Sequence, residues 1–242
     1  MRNYSRDNIR AYPSLTLART LSGDKAGLGR GLKEGEVRVG SYKYDARDHL
    51  GKGYSSHVFK GCEFDNPHKR VAVKVIDLKK FKGASLEMLE SEIEIHSSLE
   101  HPNIVRLLEV VKTPHSYYLV MEYCPHGNLR EYISQKKQLT ESNAIEIVNQ
   151  LLGAYRHLLD QGVVHRDIKP ANVLRMGNRW KISDFGFAVR SRFGFKDRMN
   201  VGTPLYMAPE SLRKSYYSYK SDIYSLGILL YEMLTGRTPN EA

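Results

Sequence analysis

The sequence predicts an α+β chain of two lobes, a β-rich small lobe followed by a helical large one. Three observations carry this reading. Short β-branched or alternating runs occupy residues 43–122. Helix-like segments dominate beyond residue 128. Between them stands Cys124-Pro125-His126-Gly127, a break of hinge type. A chain of 242 residues can bury one sizeable core or two lobes, and 41% hydrophobic with 10% aromatic residues describes a globular body.

Taken in order, residues 1–40 carry Gly23, Gly27, Gly29, Gly31 and Gly35 with little apolar periodicity, which predicts a flexible leader. Residues 41–123 form the small lobe. Its first two strands fall near 43–50 and 56–64, joined by the glycine-containing stretch Leu50-Gly51-Lys52-Gly53. Val71 to Asp77 alternates and is β-branched, hence a strand. Ser85 to Leu99 places Leu86, Leu89 and Ile93 three and four apart, hence a helix. Val105 to Val111 and Tyr117 to Glu122 read as further strands. Residues 124–242 form the large lobe, with helices near 128–135, 141–161 and 220–235. Thr140-Glu141-Ser142-Asn143 supplies cap-type residues before the longest of them.

The chemistry lies in His165-Arg166-Asp167, followed by Lys169, Asn172 and then Asp184-Phe185-Gly186. Phosphoryl transfer needs such a set: a carboxylate that orients the attacking hydroxyl, a cation near the transferred group, and hard oxygen donors for magnesium. These motifs resemble those of eukaryotic protein kinases over roughly residues 43 to 242. Further segments carry the resemblance: Leu50 to Val58 as a glycine-rich loop, Val71-Ala72-Val73-Lys74, Glu92 ahead of His101-Pro102-Asn103-Ile104, Ala208-Pro209-Glu210, and Ser221-Asp222-Ile223-Tyr224-Ser225-Leu226-Gly227. The loop departs from the family pattern at Ser56, where a third glycine is usual.

The resemblance implies a two-lobed kinase fold with ATP and Mg²⁺ as cofactors. Asp167 and Lys169 would be catalytic, and Asn172 and Asp184 would hold the metal. Gly51 and Gly53 would let backbone lie over the phosphates. Lys74 would hold the phosphates and be held by Glu92. Glu90 and Glu94 are alternatives, but residues two apart on a helix face about 200° away, so one of the three can point inward. Leu50, Val58 and Ala72 would cover the adenine, Leu174 would lie beneath it, and the backbone of Glu122 and Cys124 would bond its edge, with Met121 as gatekeeper. His165 and Phe185 read as packing residues.

The resemblance further implies protein serine/threonine substrates, with serine favoured by Phe187. Uncharged Asn128 and Ala171 argue against a demand for arginine three residues before the acceptor. Met199 occupies the usual activation-loop acceptor position, so phosphorylation there is not expected to be required. Asp197 could stand in for a phosphate before Arg166, Ser191 remains a possible acceptor and Thr203 is expected to be structural. His96 replaces a usual apolar residue and is expected to loosen the active arrangement. The sequence also stops soon after the 220–235 helix, which predicts an incomplete large lobe, an unpartnered Glu210 and an exposed apolar patch on residues 223–234. The alternative is therefore a truncated, pseudokinase-like ATP-binding scaffold. A small-molecule kinase fits poorly, because the Ala208-Pro209-Glu210 and Gly202-Thr203-Pro204 segments serve protein substrates.

Composition bounds the setting. Cys62 and Cys124 lack metal-binding or redox spacing, no apolar run reaches the ~18 residues of a membrane span, and no signal-peptide core is present. A cytoplasmic location follows as the expectation; Arg2, Arg6, Arg10 and Arg19 weakly suggest a mitochondrial presequence, and Asp7 and Asp24 oppose it. The net charge is +10, and residues 1–40 hold eight basic against four acidic residues. That arm could meet an acidic partner. No nucleic-acid motif accompanies it.

Overall fold

A computed structural model describes residues 19–20, 32–53, 55–197 and 200–239. The small lobe holds β1 (Arg19–Thr20), β2 (Glu36–Val39), β3 (Tyr42–Lys52), β4 (Ser56–Glu63) and β5 (Arg70–Asp77), then helix α1 (Ala84–Ser97), β6 (Leu107–Lys112) and β7 (Ser116–Glu122). Among the described residues these strands form one sheet in the order β1-β6-β7-β5-β4-β3-β2. Every pairing is antiparallel except β1 with β6. Side chains on a strand alternate between faces, and each face of this sheet carries an apolar cluster. On one side Val39, Tyr42, Tyr44, Val71, Val73, Val111 and Val120 pack together. On the other, Ile76, Leu107 and Leu119 meet Leu89 and Ile93 of α1.

The leader expectation is corrected at its end. Glu36–Val39 is a strand paired with β3, and Val39 is buried. The signal was present, since Val37 and Val39 alternate with charged neighbours, but the surrounding glycines masked it. The rest of the leader, apart from Arg19–Thr20, 32–35 and Gly40, lies outside the described residues, as do Tyr54, Arg198, Met199 and residues 240–242. A second departure concerns residues 104–106, where a strand was expected from Val105. The Val105 amide instead donates to the Ile182 carbonyl at 2.9 Å, and Ile104 bridges Ile182. The chain there is stitched to the large lobe before it joins β6.

The large lobe contains α2 (Leu129–Lys136), α3 (Glu141–Asp160), the two-residue strand β8 (Val163–Val164), the hairpin β9 (Val173–Met176) and β10 (Arg179–Ile182), short strands β11 (Val189–Arg190) and β12 (Phe195–Lys196), α4 (Pro209–Lys214), β13 (Tyr216–Tyr217) and α5 (Tyr219–Thr235). Side chains start three of the described α-helices. Asn128 and Glu131 form a reciprocal capping box on α2, Thr140 accepts from the Asn143 amide on α3, and Ser218 caps α5. The core joins Ile147, Leu151 and Leu158 of α3 to Leu226, Leu229 and Met233 of α5, with Trp180, Ile182 and Phe185 beside them. The apolar patch expected on α5 is present: Ile223, Tyr224, Tyr231 and Leu234 are exposed. Glu210, expected to lack a partner, accepts a hydrogen bond from Ser221 Oγ at 3.1 Å.

Candidate active site

Residues directly opposite on antiparallel strands share a face. β5 sets Lys74 opposite Val58 and Leu119, and Ala72 opposite Met121, while Gly51 lies opposite Val58. Gly51, Val58, Ala72, Lys74 and Met121 therefore share the face that also carries Ile76 toward α1. A side chain added at Gly51 would meet nothing within 4 Å, so this stretch of backbone is bare on that side.

Lys74 Nζ donates to Asp184 Oδ1 at 3.0 Å and lies 3.9 Å from Glu92 Oε1. The first is a hydrogen bond, the second a looser charge contact. Of the three glutamates that the sequence left open, Glu92 is the one beside Lys74. Glu90 turns the other way, to Lys112 Nζ at 2.8 Å and the Tyr117 hydroxyl at 2.7 Å. Burial alone would lower the Lys74 pKa, but Asp184 and Glu92 outweigh it and raise it. The attraction of Lys74 holds Asp184 down to about 2. Burial raises Glu92. Asp184 keeps a charged and half-exposed carboxylate, with 49% of its side chain accessible.

The second group surrounds Asp167, which is buried. Thr203 Oγ1 donates to Asp167 Oδ1 at 2.7 Å, Lys169 Nζ lies 2.7 Å from Asp167 Oδ2, and Lys169 Nζ donates to Thr203 Oγ1 at 2.8 Å. Asn172 Nδ2 donates to the Asp167 carbonyl at 2.9 Å and to Oδ2 at 3.0 Å, which leaves its Oδ1 as an acceptor. Ser183 joins the two groups, since its amide and hydroxyl both donate to the Asn172 carbonyl, at 2.8 and 2.9 Å. Thr203 thus touches the Asp167 carboxylate directly. Gly202, at φ +108, lies so close to the Arg166 carbonyl that a Cβ would sit 2.6 Å from it, which only glycine permits.

Beneath the loop, Asp222 does what the sequence left unassigned. Its Oδ2 accepts from the His165 amide at 2.7 Å and its Oδ1 from the Arg166 amide at 2.9 Å. Arg166 has φ 69, a left-handed conformation uncommon for a non-glycine residue, and these two bonds hold it there. Its guanidinium, 2% exposed, pairs with Asp197, donates to the Phe187 carbonyl at 2.5 Å and lies over the rings of Phe195 and Tyr217. Asp197 therefore occupies the place the sequence assigned to it.

The Phe185 ring packs between two imidazoles, His96 at 4.7 Å and His165 at 5.0 Å between centroids. The His96 ring, expected to loosen this arrangement, has a hydrogen-bond partner. Its Nε2 pairs with the Val105 carbonyl at 2.7 Å, and burial lowers its pKa to about 4, so it packs as a neutral ring.

At the expected adenine edge, Cys124 is half-buried and burial pushes its thiol up to about 12. Leu50 is exposed and Leu174 of β9 is half-buried, bridged to Asn128. No hydrogen bond or strand register ties Leu50, Cys124 or Leu174 to either charged group among the described residues. Glu122 carries a feature the sequence reading missed. Its Oε1 accepts from Lys181 Nζ at 2.8 Å and from the Arg106 amide at 2.7 Å. The signal was a single lysine between apolar Trp180 and Ile182, the same pattern that marked Lys74.

The protein kinase domain family matches residues 44–242. The chain belongs to the protein kinase family. It is 38% identical over 224 residues to serine/threonine-protein kinase ULK1 of Homo sapiens, covering 88% of this chain and 21% of that protein. It is 42% identical over 208 residues to the hormonally up-regulated neu tumor-associated kinase of Homo sapiens, covering 84% and 29%. It is 38% identical over 212 residues to serine/threonine-protein kinase unc-51 of Caenorhabditis elegans, covering 82% and 25%. This kinase domain thus spans less than a third of the length of each of these relatives. No described helix is long and apolar enough to cross a membrane.

Proposed function

We propose that the chain is an ATP-dependent protein serine/threonine kinase that transfers the γ-phosphoryl group of Mg-ATP to protein hydroxyls. The carrying observation is the joined pair of charged groups, Lys74 with Asp184 and Asp167 with Lys169 and Thr203. Asp167 presents a buried carboxylate that can accept a hydroxyl proton and orient the attacking oxygen. Lys169 places positive charge beside it, where the transferred phosphoryl would develop negative charge. Lys74 is positioned to hold the phosphates, and its raised pKa keeps it charged.

Asn172 and Asp184 fit Mg²⁺. Both offer hard oxygens, and Asp184 stays ionised and half-exposed. Among the described residues no cluster of three or more His, Cys, Asp or Glu could hold a metal alone. That suits an ion bound by few protein oxygens together with substrate phosphates. When bound, it would neutralise phosphate charge.

Serine preference rests on Phe187, which is exposed beside the Asp184 segment. A catalytic unit that begins with β2 at Glu36 rather than at residue 41, an acidic partner for the basic leader and a cytoplasmic setting belong to the same proposal. The test is transfer from Mg-ATP to a serine/threonine peptide library by the purified chain and by Asp184→Ala. The variant should lose at least about 10²-fold in rate. Equal signals would overturn the enzyme reading and leave the ATP-binding scaffold.

A further inference from the structure

Glu122 ends β7 in the small lobe, and Lys181 lies in β10 of the large lobe. Their ion pair, 2.8 Å long, crosses from one lobe to the other with the lysine side chain 5% exposed and the glutamate 18%. A buried ammonium of this kind is costly unless paired, so the contact holds both chains to one geometry. The carboxylate is fixed a second time, because its Oε1 also accepts the Arg106 amide, and the Glu122 amide in turn donates to the Arg106 carbonyl at 3.0 Å. Glu122 is therefore clamped at both backbone and side chain. Lys181 stands opposite Leu174 in the β9–β10 register, so the two side chains share a face of the hairpin. The lysine that restrains the hinge thus comes from beside the residue proposed to floor the adenine.

We propose that Lys181, through Glu122, is a positioning residue for the nucleotide base: it holds the hinge backbone edge and the Leu174 floor at a fixed spacing. This rests on the kinase reading above. Glu122 turns its side chain away to Lys181 and its amide to the Arg106 carbonyl, so the group proposed to meet the base is its backbone carbonyl. Losing the lysine would leave a half-buried carboxylate unpaired, and the hinge would shift to solvate it.

Three variants test this: Lys181→Met, Lys181→Arg, and Lys181→Met combined with Glu122→Gln. Binding of adenosine and of Mg-ATP is measured by calorimetry, beside steady-state kinetics and thermal melting. Lys181→Met should weaken adenosine and Mg-ATP alike by roughly five- to tenfold, raising the KM for ATP more than it lowers kcat. Lys181→Arg should recover most of the affinity, and the double variant should bind better than Lys181→Met, because no unpaired charge remains. A purely structural brace would lower the melting temperature and leave the adenosine Kd unchanged, and that result would overturn the proposal. So would equal weakening in Lys181→Met and Lys181→Arg. Failure of the unmodified chain to bind Mg-ATP would overturn the kinase reading itself, a result distinct from either.

Discussion

Buried beside Phe185, His96 is a polar ring made compatible with a core by one hydrogen bond. Below about pH 6.5 the unfolded chain takes up a proton that the folded chain refuses until about pH 4. The stability contributed by this residue is therefore complete above pH 6.5 and falls as the pH drops through that window. Between pH 7 and pH 5 the loss attributable to His96 should be about 2 kcal/mol. Urea denaturation of the wild type and of His96→Leu at both pH values checks this. The variant should show the shallower dependence. Identical slopes would mean the imidazole is reached by water. From sequence, His96 looked like a defect, because a residue type was visible and its acceptor was not. The Val105 carbonyl becomes available only because that segment pairs with β10 through its amide.

Among the elements, the segment from Asp184 to Glu210 shows which parts of a site a sequence can carry. Motif spacing located Asp167, Asn172 and Asp184, since their chemistry requires fixed neighbours. Helix periodicity said only that Glu92 and its neighbours Glu90 and Glu94 face opposite ways, and the family resemblance favoured Glu92. Asp222 and Lys181 were harder to assign. Their partners lie 56–59 residues away in the chain, and neither spacing nor periodicity encodes such contacts. Asp197 was read through its expected partner, and the pair it forms with Arg166 ties the end of β12 to the His165–Asp167 segment. Asp197→Asn leaves a buried guanidinium with a neutral partner. Its kcat/KM should fall by about tenfold or more, while phosphatase treatment of the wild type should leave activity unchanged. Peptide kinetics before and after dephosphorylation decide this. Loss of activity on phosphatase treatment would show that a phosphate, and not the carboxylate, holds the segment.

At the scale of the molecule, the sheet extends further toward the amino terminus than a boundary at residue 41 allows. Removing residues 1–40 would strip β2, take away buried Val39 and open the outer edge of β3. An unpaired edge invites association with other chains. A version starting at residue 41 should melt several degrees below one starting at residue 32 and scatter more light on heating, equivalent to about 1–2 kcal/mol. Equal melting curves would show β2 to be dispensable. The hinge thiol has a consequence for inhibitor chemistry. With its proton held to about pH 12, Cys124 is almost wholly un-ionised at neutral pH, and electrophilic warheads are attacked by thiolate. Compounds bound beside Cys124 would have to gain potency from reversible contacts, because its sulfur is a slow reagent.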